Sequence, residues 1–253
     1  MKIVPIPAFQ SNYFWSIEDG ETAAIVDPGD ASPVLNYMTK NSLELKFILV
    51  THHHPDHTGG IRDLKKHNPD CKVYGPANEQ ISMVDDFLAE GDNVNLGSLG
   101  KYHILDIPGH TAGHIAYYDE KSAFVGDTVF AVGCGRLFEG TPAQMVNSLN
   151  KIKSLPESIR LYCAHEYTLN NISFAKEIEP ENKDLQDFEV ICKKLRKLDR
   201  PTIPTTLAEE LKINPFLRCN EPEVIKAAER HASHTMQSEI EVFACIRDWK
   251  DCF

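Results

Sequence analysis

The run "FILVTHHHPDH", residues 47–57, joins four consecutive apolar residues to four histidines and an aspartate packed into six positions. A short apolar run ending in a turn signal reads as a buried strand. The histidines therefore stand at a strand end, and such a cluster is costly to fold around unless something binds it. In extended backbone His52 and His54, two apart, point to one side while His53 points to the other. Pro55 then turns the chain, and Asp56 and His57 arrive just before "TGGIRDL", where a helix can begin. One pair of imidazoles thus converges on one point, and a carboxylate with an imidazole is offered to a second. Nitrogen and oxygen donors in this pattern point to a metal ion.

Three further candidates share a position. His110 follows "YHILDIPG", Asp127 follows "SAFVG" and His165 follows "IRLYCA", each at the end of an expected strand. With them the set reaches five imidazoles and two carboxylates, enough for two divalent metals with open positions. Zinc is the expected metal, and iron and manganese accept the same donors. His53 and His114 read as structural or supporting rather than ligating, and His67, His103, His231 and His234 lack a partner pattern. Asp27, in "IVDPGD", reads as a turn residue with a supporting role left open.

Up to about residue 165 short apolar runs alternate with Gly, Pro and Asp: "TAAIVDPGD", "LKFILVTHH", "CKVYGP", "YHILDIPGH", "IAYYDE", "SAFVGDT" and "IRLYCAHE". These are expected strands. Helices are expected over residues 60–67 and from Thr141, where a capping box with Gln144 coincides with Pro142 at the first helical position. Beyond His165 the strand signals fade and helices are expected over 182–199, 206–211, 223–231 and 238–250. The composition shift predicts two domains, 1–165 and a smaller helical one, 166–253. The basic stretch "KKLRKLDR" reads as a solvated helix face.

With 253 residues, 42% of them hydrophobic, the chain has enough apolar material for a substantial core without staples. Its seven cysteines are odd in number, scattered and without a CxxC pair, so they are expected to be reduced. The first residues carry prolines and charge instead of an unbroken apolar stretch, which predicts a cytoplasmic protein, and no segment predicts a membrane span. A net charge of −11 argues against a nucleic-acid partner, so any anionic ligand must meet a local positive patch. A monomer is expected.

The motifs "THHHPDH", "PGHTAGH", "GDTVF" and "AHEYT" resemble the successive motifs of the metallo-β-lactamase superfamily. "GCGRLFEGTPAQM", "AHEYTLNN", "PTTLAEELKINPFLR" and the terminal "IRDWKDCF" narrow the resemblance to the glyoxalase II family of hydroxyacylglutathione hydrolases, over essentially the whole chain. The resemblance implies an α/β fold, the αββα sandwich, followed by a helical domain that helps to bind glutathione. It implies that His52, His54 and His110 hold one metal and Asp56, His57 and His165 the other, with Asp127 and a hydroxide bridging them. Asp127 would keep both ions at working distance, and Asp56 would favour occupation of the second site. For glutathione it implies Arg136, Phe138, Tyr167, Arg247 and Lys250. Arg247 and Lys250, three apart on an expected helix, share a face and can meet the carboxylates. Arg136 and Phe138 stand where some members carry lysine and tyrosine, which loses one phenolic hydrogen bond.

The reaction so implied is hydrolysis of S-(2-hydroxyacyl)glutathione, typically the D-lactoyl thioester, to a 2-hydroxy acid and glutathione. Coordination lowers the pKa of water from about 15.7 toward 7, so hydroxide is available as nucleophile at neutral pH and no serine or cysteine is required. The metal cluster alone also suits lactamases, lactonases, nucleases and a non-catalytic metal-binding module. The "RDWK" pattern and the acidic balance favour the glutathione thioester.

Overall fold

The computed structural model describes all residues, Met1–Phe253, and the chain divides into two compact units. The first comprises Met1–Asp106 and Thr111–Gly126, the second Ile107–His110 and Asp127–Phe253. No helix is long and apolar enough to cross a membrane.

The first unit runs β1 (Lys2–Ala8), β2 (Asn12–Glu18), β3 (Thr22–Val26), α1 (Ala31–Asn41), β4 (Glu44–Leu49), α2 (Pro55–Thr58), α3 (Ile61–His67), β5 (Lys72–Pro76), β6 (Asp86–Leu88), β7 (Asn93–Asn95), β8 (Lys101–Asp106), β9 (Ile115–Tyr118) and β10 (Ser122–Gly126). Strands β1 to β6 form a mixed sheet in sequence order, antiparallel from β1 to β3 and parallel from β3 to β6. Strands β7 to β10 form an antiparallel set. The two sets are stitched where the Tyr117 hydroxyl of β9 donates to the Val50 carbonyl (2.9 Å) and the Ile115 amide donates to the Thr51 carbonyl (3.0 Å). Under the mixed sheet, Val34 and Met38 of α1 and Ile61 and Leu64 of α3 join Ile25, Ile48 and Val73 in one apolar cluster. Their helical spacing against the period-two strands explains why each element buries a single face.

The second unit runs β11 (Val129–Phe130), β12 (Gly133–Cys134), α4 (Pro142–Lys153), β13 (Arg160–Cys163), α5 (Thr168–Ile178), α6 (Lys183–Lys197), β14 (Thr205–Thr206), α7 (Leu207–Ile213), α8 (Pro222–Ala232) and α9 (Glu239–Asp251). The expected capping box opens α4, with Thr141 and Gln144 bonding reciprocally and Pro142 at the first turn. A second box, Thr206 with Glu209, opens α7, and Asn182 and Ser238 cap α6 and α9.

The helices expected beyond residue 165 lie within two residues of α6, α7, α8 and α9, and the one expected over 60–67 is α3. Strands β1 and β2, the short strands β6, β7, β11, β12 and β14, and helices α1 and α5 are not among the expected elements. Pro5 and Pro7 disguise β1, which tolerates them because it is an edge strand paired only with β2. Helix α5 opens at Tyr167 with no side-chain cap and a Thr-Leu-Asn-Asn start, so its local signal is weak and it is held by packing of Ile172 and Ala175 against Leu185 and Ile213.

Candidate metal centre and substrate pocket

Strand β4 ends at Leu49, and the chain beyond it carries the histidine cluster of the first unit. His52 is fully buried, its Nε2 3.1 Å from His54 Nδ1, while His53 turns away to Glu79 with its Nδ1 3.0 Å from the carboxylate. This is the alternation expected of extended backbone. Helix α2 then presents Asp56 and His57, with His57 Nε2 3.5 Å from Asp56 Oδ2.

Residues that the sequence reading left open or missed hold this arrangement. Because β3 pairs in parallel with β4, Val26 lies opposite Leu49 and Asp27 beside Thr51. The Asp27 carboxylate accepts from the Thr51 amide (2.7 Å) and hydroxyl (2.8 Å) and stands 3.1 Å from His57 Nδ1. An imidazole whose Nδ1 faces a carboxylate presents Nε2 as its ligand atom. Asp27, His52 and His57 together bring ligand atoms within 4.8 Å of one another. The bonds Asp27 already accepts assign it to orienting His57. Asn12 donates to Asp56 Oδ2 (3.0 Å). Gly29 admits the close approach of the α2 backbone, since a Cβ there would stand 2.0 Å from the Asp56 carbonyl oxygen. The ring of His114 stacks on His52 at 4.6 Å, which gives it a packing role. Among these, only an aspartate directly following an expected strand was a usable local signal.

In the second unit one oxygen, Asp127 Oδ2, lies 3.5 Å from His110 Nε2 and 3.3 Å from His165 Nε2. His110 Nδ1 donates to the Arg136 carbonyl (2.9 Å), which leaves Nε2 as the ligand atom. Gly135 is again a close approach: a Cβ would fall 1.9 Å from the Asp127 carbonyl oxygen.

These separations test the fit to a metal. Donors bound at about 2.1 Å in a tetrahedral site lie about 3.4 Å apart. The pairs in each unit are spaced at 3.1 to 3.5 Å, two imidazole nitrogens in the His52–His54 pair and Nε2 against a carboxylate oxygen in the others. The donor set is imidazole and carboxylate throughout, so the His and Asp clusters fit divalent metals of the zinc, iron and manganese type.

A cavity of about 460 Å³ lies in the second unit, with His110 and Asp127 on its wall together with Arg136, Phe138, Tyr167, Arg247 and Lys250. All five residues expected to meet glutathione therefore line one pocket. Phe138 is 63% exposed and sets its ring edge against His110 at 5.2 Å, while the Tyr167 ring stacks on His165 at 4.7 Å. Arg247 is buried. Its Nη1 donates to the Cys134 carbonyl (2.8 Å) and its Nη2 to Asp251 (2.9 Å), whose same oxygen is 3.2 Å from Arg136 Nε. Lys250 donates to Asn170 (3.2 Å). Burial, and then the neighbouring guanidinium of Arg247, hold the Lys250 ammonium down at about 8. A cation so placed gains from an arriving anion.

Residues 7–165 match the metallo-β-lactamase superfamily, and residues 166–253 match the family described as the hydroxyacylglutathione hydrolase C-terminus. Hydroxyacylglutathione hydrolase from Nitrosomonas europaea is 47% identical, covering 100% of this chain and 97% of the relative. The enzyme of the same name from Photobacterium profundum is 46% identical with 100% of both covered. The crystal structure of ETHE1 from Myxococcus xanthus superposes with a TM-score of 0.67 at 22% identity, covering 100% of this chain and 99% of that one, and shows the shared fold. With its metallo-β-lactamase fold, its His and Asp clusters and its matching C-terminal region, the chain belongs to the hydroxyacylglutathione hydrolase family of the metallo-β-lactamase superfamily.

Proposed function

We propose that the chain hydrolyses S-(2-hydroxyacyl)glutathione, with the D-lactoyl thioester as its main substrate, to a 2-hydroxy acid and free glutathione, the last step of methylglyoxal removal. The observation that carries this reading is the pocket in which Arg136, Arg247 and Lys250 share a wall with His110 and Asp127. With Asp127 committed to the metal centre, three cations against the Asp251 carboxylate that pairs with Arg136 and Arg247 leave a surplus of two positive charges, which suits the two carboxylates of a glutathionyl group.

In this reading His52, His54 and His110 would hold one metal, Asp56, His57 and His165 would hold a second, and Asp127 would serve both. Two ions, zinc first among the candidates, would supply a water of lowered pKa and Lewis-acid stabilisation of the thioester oxygen. The chain's own groups do the rest. Asp27 on His57 Nδ1 and the Arg136 carbonyl on His110 Nδ1 keep these imidazoles in the ligating tautomer. Asn12 holds the Asp56 carboxylate in place. Arg247 and Lys250 take the carboxylates of the glutathionyl arm, so binding at one end orients the thioester at the other. Phe138 and Tyr167 set aromatic rings against His110 and His165. The leaving thiolate, with an ordinary pKa near 8.5, departs without needing a general acid.

We assign catalysis to residues 1–165 and glutathione binding chiefly to 166–253, with Arg136 and Phe138 contributed by the former. The seven free cysteines support work in the reducing cytoplasm. The test is hydrolysis of S-D-lactoylglutathione by metal-analysed protein, following thioester loss together with thiol release. Turnover that chelation abolishes and zinc, iron or manganese restores is the expected result. Two bound metals with an intact thioester would overturn the reading.

A further inference from the structure

Between Asp127 and Arg136 the chain makes a small hairpin, β11 and β12, with Val129 paired to Cys134 and Phe130 to Gly133. At its turn Val132 has φ +59°, a conformation a β-branched residue rarely adopts. Such a residue persists only where its surroundings over-determine it. Here they do, because five consecutive residues each have a backbone group held by a side chain from the region beyond residue 166. Asn214 Nδ2 donates to the Phe130 carbonyl (3.2 Å) and to the Gly133 carbonyl (3.0 Å). Asn171 Nδ2 donates to the Ala131 carbonyl (2.9 Å). The Val132 amide donates to Glu210 Oε2 (2.9 Å), and Arg247 Nη1 donates to the Cys134 carbonyl (2.8 Å).

The holders are themselves fixed. Asn214 also donates to Glu210 Oε2 (2.8 Å), and its Oδ1 accepts from the Phe216 amide (3.1 Å). Asn171, Glu210 and Asn214 are all buried. Burial pushes the Glu210 carboxyl up to about 7, so this acceptor is kept in place at a desolvation cost. The Val132 side chain, fully buried, joins Ile172, Leu185 and Ile213 in the apolar cluster of the helices. The hairpin is therefore moulded from outside, on both its polar and its apolar side.

What it presents is the wall of the pocket. Phe130 and Cys134 line the cavity, and the Phe130 ring stands edge-on to His165 (5.8 Å) and Tyr167 (5.3 Å). We propose that Asn171, Glu210 and Asn214 are positioning residues that mould the hairpin Val129–Cys134 and, through Phe130, set the placement of His165 and Tyr167. The helical region then does more than supply cations to the substrate: it shapes the segment that follows Asp127.

The experiment is hydrogen exchange of the hairpin amides in chelator-treated protein, read beside steady-state kinetics of the metal-loaded enzyme. Asn214→Asp replaces three donor contacts by carboxylate oxygens at nearly constant volume, and Glu210→Ala removes the acceptor for Val132. Each is expected to speed exchange within the hairpin by about tenfold or more, the equivalent of one lost hydrogen bond, while α4 and α9 keep their protection. KM for S-D-lactoylglutathione rises by about tenfold. Glu210→Gln, which keeps an oxygen for both donors, recovers most of what Glu210→Ala loses. Should either larger change prevent folding, Asn171→Ala, which removes a single bond, is read in the same way. Hairpin exchange that stays at the parental rate, or that rises only together with exchange of every helix while KM is unchanged, overturns the proposal. The kinetic arm rests on the thioesterase reading and the exchange arm does not, so failure of the substrate leaves the clamp decidable.

Discussion

The histidine loop of the first unit and the cationic pocket of the second reach the same end, a set of polar groups gathered in one place, by opposite routes. His52, His54, Asp56 and His57 come from six consecutive residues, and a strand end followed by a proline turn is enough to aim them. The pocket gathers Arg136, Tyr167, Arg247 and Lys250 from more than a hundred residues of chain, and its walls depend on contacts such as that between Arg247 and Cys134. A local motif needs little support beyond its neighbours. A dispersed one is only as good as the fold that assembles it.

This contrast predicts different kinetic signatures. The largest effect is expected from Asp127→Asn, since one Asp127 oxygen faces both His110 and His165. It should lose metal and lower kcat by about a thousandfold or more, in the range of removing a metal-site charge. Full metal content with a normal rate would remove Asp127 from the centre. On the pocket side, Lys250→Ala combined with Arg247→Ala should raise KM by about a hundredfold, equivalent to two charge-assisted bonds, with a far smaller change in kcat. Lys250→Ala alone, which leaves the Arg247 contact to Cys134 intact, should show part of that rise. An unchanged KM would take the α9 cations out of substrate binding.

A finer test uses the ammonium of Lys250, held down at about 8 by burial and by Arg247. A cation of this kind is charged below that pH and neutral above it, so substrate affinity should weaken as pH rises through about 8. The KM profile of Lys250→Ala should lack that step, and a step of equal size in both proteins would assign it to another group. The smallest effect is expected from His53→Ala, whose ring faces Glu79 away from His52 and His54. Both metals should stay bound with turnover within about threefold of the parent. Loss of one metal equivalent would show that the alternation along this loop had been misassigned.

The strands that end at the candidate ligands, and the capped helices α4, α6, α7 and α9, were legible because each is written in a few neighbouring residues. Asp27 was only half legible. As a residue after a strand it reads as a turn former, and its bonds to Thr51 and proximity to His57 exist because β3 and β4 lie side by side in parallel. Helix α5 was missed because its start carries no cap, and β1 because prolines mask an edge strand. Glu79 gave no local signal, yet its carboxylate accepts from the Thr111 hydroxyl and meets His53.

By itself, then, the sequence determined which residue types could bind metal, where the strands end that carry them, and that an acidic chain must build a local cationic patch for an anionic substrate. Only the tertiary structure decided which partners hold those groups: Asp27 on His57, the Arg136 carbonyl on His110, Asp251 between Arg136 and Arg247, and Asn171, Glu210 and Asn214 on the hairpin at Val132. The physical reason is range. Backbone periodicity and capping act over a few residues, whereas a buried polar group must find its partner wherever in the chain the fold places one.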